Sequence, residues 1–326
     1  MISVTLNKFT VITTDIEKAK KTLTNNGLVA IPTETVYGLA ANAFSKSAVE
    51  KIFSLKNRPH YNPLIVHIKS SEYLKEIAID IPVIAQKLAA TFWPGPLTLV
   101  LKRNAKIPDI VTSGKSTVAV RVPDHKLTLD LLKKLDFPLA APSANPFGSI
   151  SPTSAEHVFN YFNDELEVIL DGGNCDRGIE STIIGFENNQ AILFRHGSLP
   201  LEEIEKITGQ IVHKIKNDNN PIAPGMLTKH YAPKTTTYFT NKVEDLIKSF
   251  NDKKIGVLVF KNKIFSPKIF HQEILSIDGN IKEAASNLYN ALHRLDKLNL
   301  DLIISEKFPN EDLGKTINDR LERAAK

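Results

Sequence analysis

The stretch IPTETVYGLAA, residues 31–41, runs from an apolar strand into a cluster of polar groups. Thr33, Glu34, Thr35 and Tyr37 put two hydroxyls, a carboxylate and a phenol where the strand ends, followed by Gly38. Two readings fit: the wall of a polar pocket at a strand end, or a strand-to-helix turn whose hydroxyls cap the backbone.

Short β-type runs and helical periods alternate around this stretch. Strands are expected at 27–33, 63–68, 96–102, 116–123, 137–143, 167–172, 181–186 and 190–196, and helices at 15–26, 46–57, 81–91 and 154–162. Thr153 followed by Glu156 fits a capping box for the last helix. More strands than helices imply an α/β or α+β domain on a mixed sheet. The run NDNNP, residues 217–221, breaks the pattern. The Pro-bounded APGMLTKHYAP, 223–233, then reads as an ordered connector. Beyond it the rhythm changes: helix 243–250, strand 255–260, strand 273–277, helix 281–298, strand 300–305 and helix 313–325, the alternation of a small parallel α/β sheet. The division expected is 8–205, a connector at 206–235, and 236–326.

The 326 residues are 42% hydrophobic and 24% charged, ordinary for a globular chain. A lone cysteine, Cys175, excludes an internal disulfide and a Cys-rich zinc site. The N-terminus lacks a basic-then-apolar signal pattern and no apolar run approaches membrane length, so a cytoplasmic protein is expected, with no membrane partner. The net charge of +5 permits a polyanionic partner. The densest basic run, Lys253, Lys254, Lys261, Lys263 and Lys268, reads as a solvated edge or as an RNA patch.

Conventional phosphate motifs are missing. Gly114-Lys115-Ser116 and Gly314-Lys315-Thr316 lack the upstream glycine of a P-loop, since Asp109 and Pro309 stand there. What the chain offers instead is cations and hydroxyls at strand ends. In LKNRPHYNPLIVH, 55–67, Pro59 and Pro63 stiffen a loop that displays Lys56 and Arg58, with Asn62 and His67 as neutral hydrogen-bonding groups; surface charge at a helix end is the other reading. FWPGPLTL, 92–99, reads as packing at a turn. Arg121 interrupts the apolar strand TVAVRVP, 117–123, so it faces solvent or reaches an anionic ligand. PLAAPSANPFGSIS, 138–151, surrounds Ser143 and Asn145 with small residues that let a ligand approach the backbone. DGGNCDRGIESTII, 171–184, and ILFRHG, 192–197, add Ser181, Thr182 and Arg195. Together they describe an anion site without a P-loop and with little negative charge.

The ordered set PTETVYGLAANA, KNRPHYNPLIVHI, FWPGPLTLVL, VAVRVPDH, APSANPFGSISPTSAEHV, DGG, ESTII and FRHG closely resembles the YrdC-like domain of threonylcarbamoyl-AMP synthases. APGMLTKHYAP and GKTINDRLERAA resemble the two-domain form, so the likeness covers roughly residues 8 to 326. Leu227 and Thr228 stand where many relatives carry a Lys-Tyr pair. The resemblance implies an open twisted mixed sheet around a concave basic cavity, plus a small Rossmann-like domain. It implies a nucleotidyltransferase that joins L-threonine, bicarbonate and ATP into threonylcarbamoyl-AMP for threonylcarbamoyladenosine in tRNA, with Mg2+ carried by ATP. tRNA or the downstream threonylcarbamoyl transferase is an implied partner. Lys56 and Arg58 take the catalytic positions. Arg58, Asn62, Thr117, Ser143, Asn145, Ser151, Arg195 and Tyr231 take ATP-binding positions. Thr35, His67, Arg121, the backbone at Ala141, and Ser181 take threonine-binding positions. Two other readings compete: an RNA-binding module without catalysis, and the carbamoyltransferase of hydrogenase maturation, against which the single cysteine argues.

Overall fold

A computed structural model describes residues 9–188, 190–213, 222–225 and 230–325. The NDNNP run and Leu227–Thr228 lie outside the described residues. The first part comprises β1 (Val11–Thr13), α1 (Ile16–Thr24), β2 (Val29–Ile31), β3 (Gly38–Asn42), α2 (Lys46–Lys56), β4 (Ile65–His67), α3 (Val83–Phe92), β5 (Leu97–Lys102), α4 (Asp109–Thr112), β6 (Thr117–Arg121), α5 (Lys126–Lys134), β7 (Leu139–Ala140), α6 (Ala155–Phe162), β8 (Val168–Leu170), β9 (Thr182–Glu187), β10 (Gln190–Arg195), α7 (Leu201–Thr208) and β11 (Val212–His213). The remainder comprises β12 (Thr236–Thr240), α8 (Val243–Ser249), β13 (Ile255–Val259), β14 (Ile269–Ile274), α9 (Ile281–Asp296), β15 (Leu302–Glu306) and α10 (Asp312–Ala324).

β1 to β11 form one mixed sheet, ordered β1-β8-β2-β3-β7-β4-β6-β5-β9-β10-β11. The other four strands form an all-parallel sheet, β12-β15-β13-β14, as the C-terminal alternation implies. Alternation of side chains sorts the large sheet into faces. Val66, Val118 and Val120 turn to a core filled by Val49, Ile52 and Phe53 of α2 and Leu88 of α3. Ile65, Ala119 and Ile183 turn the other way and are covered by Ile222 and Ala223 of the connector. By the same parity His67, Arg121 and Ser181 face that concave, connector-covered side.

Several local expectations change. The turn after β2 leads to a strand, not a helix: β2 and β3 pair antiparallel, Ile31 opposite Gly38. β3 (GLAAN) is small-residue-rich and weak in β-propensity, which hid it. The helix cap lies one residue further on, and it is a simple cap without the reciprocal glutamate bond of a capping box. Ser154 caps α6 by accepting from the His157 N–H at 3.2 Å, while Thr153 Oγ1 lies 2.8 Å from Asn290 Oδ1 and Glu156 pairs with Lys297. The expected strand 137–143 shrinks to two residues because Pro138 and Pro142 have no N–H to donate. The strand expected at 273–277 lies earlier, at β14. Three of the five lysines of the basic run are held locally: Lys253 pairs with Asp301, Lys254 donates to the Leu298 carbonyl, and Lys268 to those of Lys248 and Phe250.

The two sheets share an apolar seam. Val36, Ile150 and Ile179 pack with Leu288, Tyr289, Leu292 and Ile317. Gly178 approaches α9 closely across this seam. Its φ is +68°, and a Cβ there would lie 2.2 Å from the carbonyl oxygen of Ser286 on α9. Gly178→Ala combines left-handed strain with a backbone clash, so urea denaturation should show a loss of about 2–4 kcal/mol. Unchanged stability would mean that the seam yields freely.

Candidate active site

Arg58 and Arg195 reach the concave face and Lys56 stands behind it, each held by uncharged oxygen. α2 stops at Lys56 because Asn57 takes a left-handed conformation, φ 51°. The Lys56 ammonium then donates to the carbonyls of Ser143 (2.6 Å) and Asn145. Arg58 donates from Nε to the Asn62 carbonyl (3.1 Å) and from Nη2 to that of Pro63 (2.8 Å). β10 loses strict register between Leu193 and Arg195, which re-aims Arg195. Its Nε and Nη2 donate to the Ser181 carbonyl at 3.2 and 2.8 Å, and Nη1 to that of Pro224 at 3.2 Å. Carbonyls orient these groups without cancelling their charge. Burial, and then the Arg58 charge, pushes Lys56 well below its ordinary range. Burial brings Arg58 down to about 9, still protonated at neutral pH, and lowers Arg195 too. Buried cations with no carboxylate bonded to them are costly, and an anionic ligand relieves that cost.

The neighbouring subsite is built on β4 and β6, where His67 stands opposite Arg121. Arg121 Nε donates to the Gly95 carbonyl (3.1 Å) and Nη1 to Thr35 Oγ1 (2.9 Å). Its Nη2 lies 2.5 Å from Glu34 Oε2, close enough for an ion pair but out of line for a hydrogen bond. Arg121 therefore does not face solvent: it is buried and paired with a carboxylate. Ser181 Oγ lies 2.7 Å from Thr98 Oγ1. Burial, then the Arg121 charge, pushes the His67 imidazole down to about 3, so it is neutral.

His230 and Tyr231 close the cavity from the connector. Tyr231 is buried with φ +65°, and its hydroxyl would lie 2.5 Å from a Cβ at Gly225. Arg320 of α10 lies over its ring, 4.7 Å from the centroid. Beneath it sits Glu180. The Ser151 hydroxyl donates to Glu180 Oε1 at 2.6 Å, the Tyr289 hydroxyl lies 3.0–3.1 Å from both oxygens, and Arg320 Nε donates to Oε2 at 2.8 Å. Burial alone raises this carboxyl, but the Arg320 and Arg195 charges and the Ser151 bond overcome it, leaving it at about 2.

The walls enclose about 50 Å³. Thr35, Arg58, His67, Arg121 and Ala141 line the cavity, and so do Ser143, Ser181, Arg195 and Tyr231. Five other sequence candidates lie outside that lining. Lys56 and Asn145 sit behind the Ser143 loop; the Lys56 ammonium supports that loop instead of projecting from a surface one. Asn62 is fully buried, and neither side-chain nitrogen nor oxygen has a partner. The Ser151 hydroxyl is committed to Glu180. Thr117 begins β6, at the opposite end from Arg121. Tyr37 lines the cavity and Glu34 stands behind Arg121, as the pocket-wall reading of residues 31–41 allows, while Glu180 and His230 line it although the sequence assigns them no ligand. The expectation of little negative charge is thus corrected: two carboxylates are present, each matched to its own arginine. Glu34 reads from the sequence as a pocket-wall carboxylate and Glu180 only as part of a stretch singled out, but neither carries in the sequence any sign of its distant arginine. Orphaned buried polar atoms gather here, among them Glu34 Oε1, His67 Nδ1, Asn145 Oδ1, His230 Nδ1 and the Tyr231 hydroxyl. Such groups await a ligand or water.

The family described as "Telomere recombination" matches residues 21–197, and "Threonylcarbamoyl-AMP synthase, C-terminal domain" matches 199–326. The threonylcarbamoyl-AMP synthase of Pyrococcus abyssi is 43% identical over 312 residues, 91% of this chain and 90% of the relative. This chain belongs to the threonylcarbamoyl-AMP synthase family. The Bacillus subtilis synthase is 40% identical over 95% of this chain and 92% of its own. The crystal structure of P. abyssi Sua5 complexed with L-threonine superposes with a TM-score of 0.91 at 39% identity, covering 97% of each chain. The two-domain form of the family and its mixed-sheet fold are those described above.

The site and the seam make this synthase-family chain acid-sensitive. Burial brings His67, His157 and His230 from 6.5 to about 3, and His293 to about 4. The unfolded chain takes up these protons near 6.5 and the folded one does not, so stability falls as pH drops below about 6.5 and keeps falling toward 3. Each imidazole contributes up to roughly 2 kcal/mol of this loss at pH 5. The urea midpoint at pH 5.0 should lie clearly below that at pH 7.5; equal midpoints would contradict the buried-neutral assignment.

Proposed function

We propose that this chain condenses L-threonine, bicarbonate and ATP to threonylcarbamoyl-AMP with release of pyrophosphate, supplying threonylcarbamoyladenosine formation in tRNA. The observation that carries this reading is a buried cation set held by uncharged oxygens, in a chain whose synthase relatives match it along nine-tenths of both lengths. The threonine amine adds to bicarbonate, expelling water and giving a carbamate. A carbamate oxygen attacks the α-phosphorus, and the bond from that phosphorus to the bridging oxygen breaks as pyrophosphate leaves. Adenylyl transfer asks the protein for alignment and charge stabilisation more than for covalent help.

In this reading Arg58 and Arg195 face the phosphates, and Lys56 adds its field from behind the Ser143 loop, which it holds in place. Asn62, Thr117, Ser143, Asn145, Ser151 and Tyr231 complete the nucleotide end. Arg121 takes the threonine carboxylate, sharing its guanidinium with Glu34, while Thr35, His67, Ser181 and the Ala141 backbone surround the amino acid. Cavities that take such ligands span about 300–1,000 Å³. The 50 Å³ here therefore represents a closed form, covered by Pro224, Gly225, His230 and Tyr231. We assign residues 8–205 to catalysis, 206–235 to the connector and 236–326 to the second domain. No group of three or more metal-binding side chains occurs among the described residues; Mg2+ enters as MgATP. Among the described residues no helix is long and apolar enough to cross a membrane. We place the protein in the cytoplasm, with tRNA or the downstream threonylcarbamoyl transferase as the receiver of its product.

Pyrophosphate release should require threonine and bicarbonate together; no such release under adequate Mg2+ would sink this reading and favour an RNA-binding role. Arg58→Ala should weaken ATP binding about a hundredfold while threonine binding changes severalfold at most, as measured by calorimetry. Unchanged ATP affinity would remove Arg58 from the phosphate site.

A further inference from the structure

The C-terminal domain reaches the cavity-lining Glu180 through Tyr289 and Arg320. Arg320 of α10 is 1% exposed and touches three separate pieces of the site. Nε donates to Glu180 Oε2 at 2.8 Å, just ahead of β9. Nη2 donates to the His196 carbonyl at 2.7 Å, just past Arg195 at the end of β10. The guanidinium plane covers the Tyr231 ring. Asp319 Oδ2, 2.6 Å from Nη1, fixes its orientation, and the Thr316 hydroxyl anchors the same helix to the Gly197 carbonyl at 3.0 Å.

Glu180 and Arg195 carry opposite charges close enough to interact, yet Arg195 donates to carbonyls and to Ser181, not to Glu180. Arg320, Tyr289 and Ser151 already occupy three of the roughly four acceptor positions of the carboxylate. Without Arg320, the Arg195 guanidinium becomes the nearest compensating charge. An Arg195 paired with a carboxylate is a poor phosphate ligand.

We propose that Arg320 is a positioning residue for the nucleotide end of the site: it holds the Glu180 carboxylate away from Arg195, fixes the strand end that carries Arg195, and seats Tyr231. This inference rests on the adenylate-forming reading and gives the second domain a part in it. The ionisable groups facing Glu180 are Arg320 from α10, Tyr289 from α9, Arg195 from β10, and His230 and Tyr231 from the connector. Asp319 and Arg323 flank Arg320. Removing Arg320 takes away the largest influence opposing burial, so the Glu180 carboxyl rises and becomes titratable in the acid range. Protonation there removes the charge that competes for Arg195.

The experiment compares full-length wild type, Arg320→Met, Glu180→Gln and the double variant in threonine- and bicarbonate-dependent pyrophosphate release at pH 8 and pH 6, with threonine affinity by calorimetry. For Arg320→Met at pH 8 the KM for ATP should rise at least tenfold while the threonine Kd stays within threefold. On moving to pH 6 that KM should fall at least threefold, a recovery wild type does not show. The double variant should return to within threefold of Glu180→Gln alone. An unchanged KM, equal losses of ATP and threonine binding, or a double variant no better than Arg320→Met would overturn the proposal and leave Arg320 as domain packing. Should Arg320→Met fail to fold, Arg320→Lys carries the test: it keeps the charge on Glu180 and loses the bond to the His196 carbonyl. Its KM for ATP should rise about threefold without the recovery at pH 6, and wild-type values would overturn the proposal. Wild type releasing no pyrophosphate would instead overturn the adenylate reading itself.

Discussion

Buried positive charge governs this molecule. Arg58 and Arg195 sit out of water with carbonyl oxygens as partners, so their charge is oriented but not cancelled, and the Lys56 amine is held by carbonyls in the same way. The surrounding architecture keeps carboxylates from cancelling it. Glu34 is taken up by Arg121 and Glu180 by Arg320. Both carboxylates sit at the cavity, and each has its own cation.

That division explains why two sheets are joined so closely. The large sheet supplies the strand ends on which Arg121, Ser181 and Arg195 stand. The small parallel sheet supplies α9 and α10, whose Tyr289 and Arg320 satisfy Glu180 across the seam. A buried carboxylate left unpaired would cost several kcal/mol, so catalytic sheet and second domain stabilise one another through the same group that lines the cavity. The stacked His157 and His293, 3.8 Å between ring centroids, seal the seam nearby and stay neutral for the same reason of burial.

The P-loop-like tripeptides show how context decides the use of identical residues. Gly314-Lys315-Thr316 belongs to α10. Lys315 pairs with Glu202, Thr316 donates to the Gly197 carbonyl, and a Cβ at Gly314 would strike the Pro309 carbonyl oxygen at 1.9 Å. These residues dock a helix. Trp93 likewise stabilises a turn, donating to the Leu97 carbonyl at 2.7 Å and leaving the Gly95 carbonyl free to hold Arg121.

Local pattern in the sequence determined a good deal. Alternation along TVAVRVP places Arg121 on one face with Ala119, and the same parity carries His67 beside Ile65 and Ser181 beside Ile183. Prolines set the loop that displays Arg58, and the change of rhythm after residue 233 announces the parallel sheet. These follow from steric and periodic rules acting over a few residues. Tertiary structure alone decided that Lys56 turns inward to a loop some 90 positions away, that a strand and not a helix follows IPTET, and that Glu180 answers to Arg320, 140 positions along the chain. Charge pairing depends on distance in space, and the folded sheets bring together groups that no local period connects.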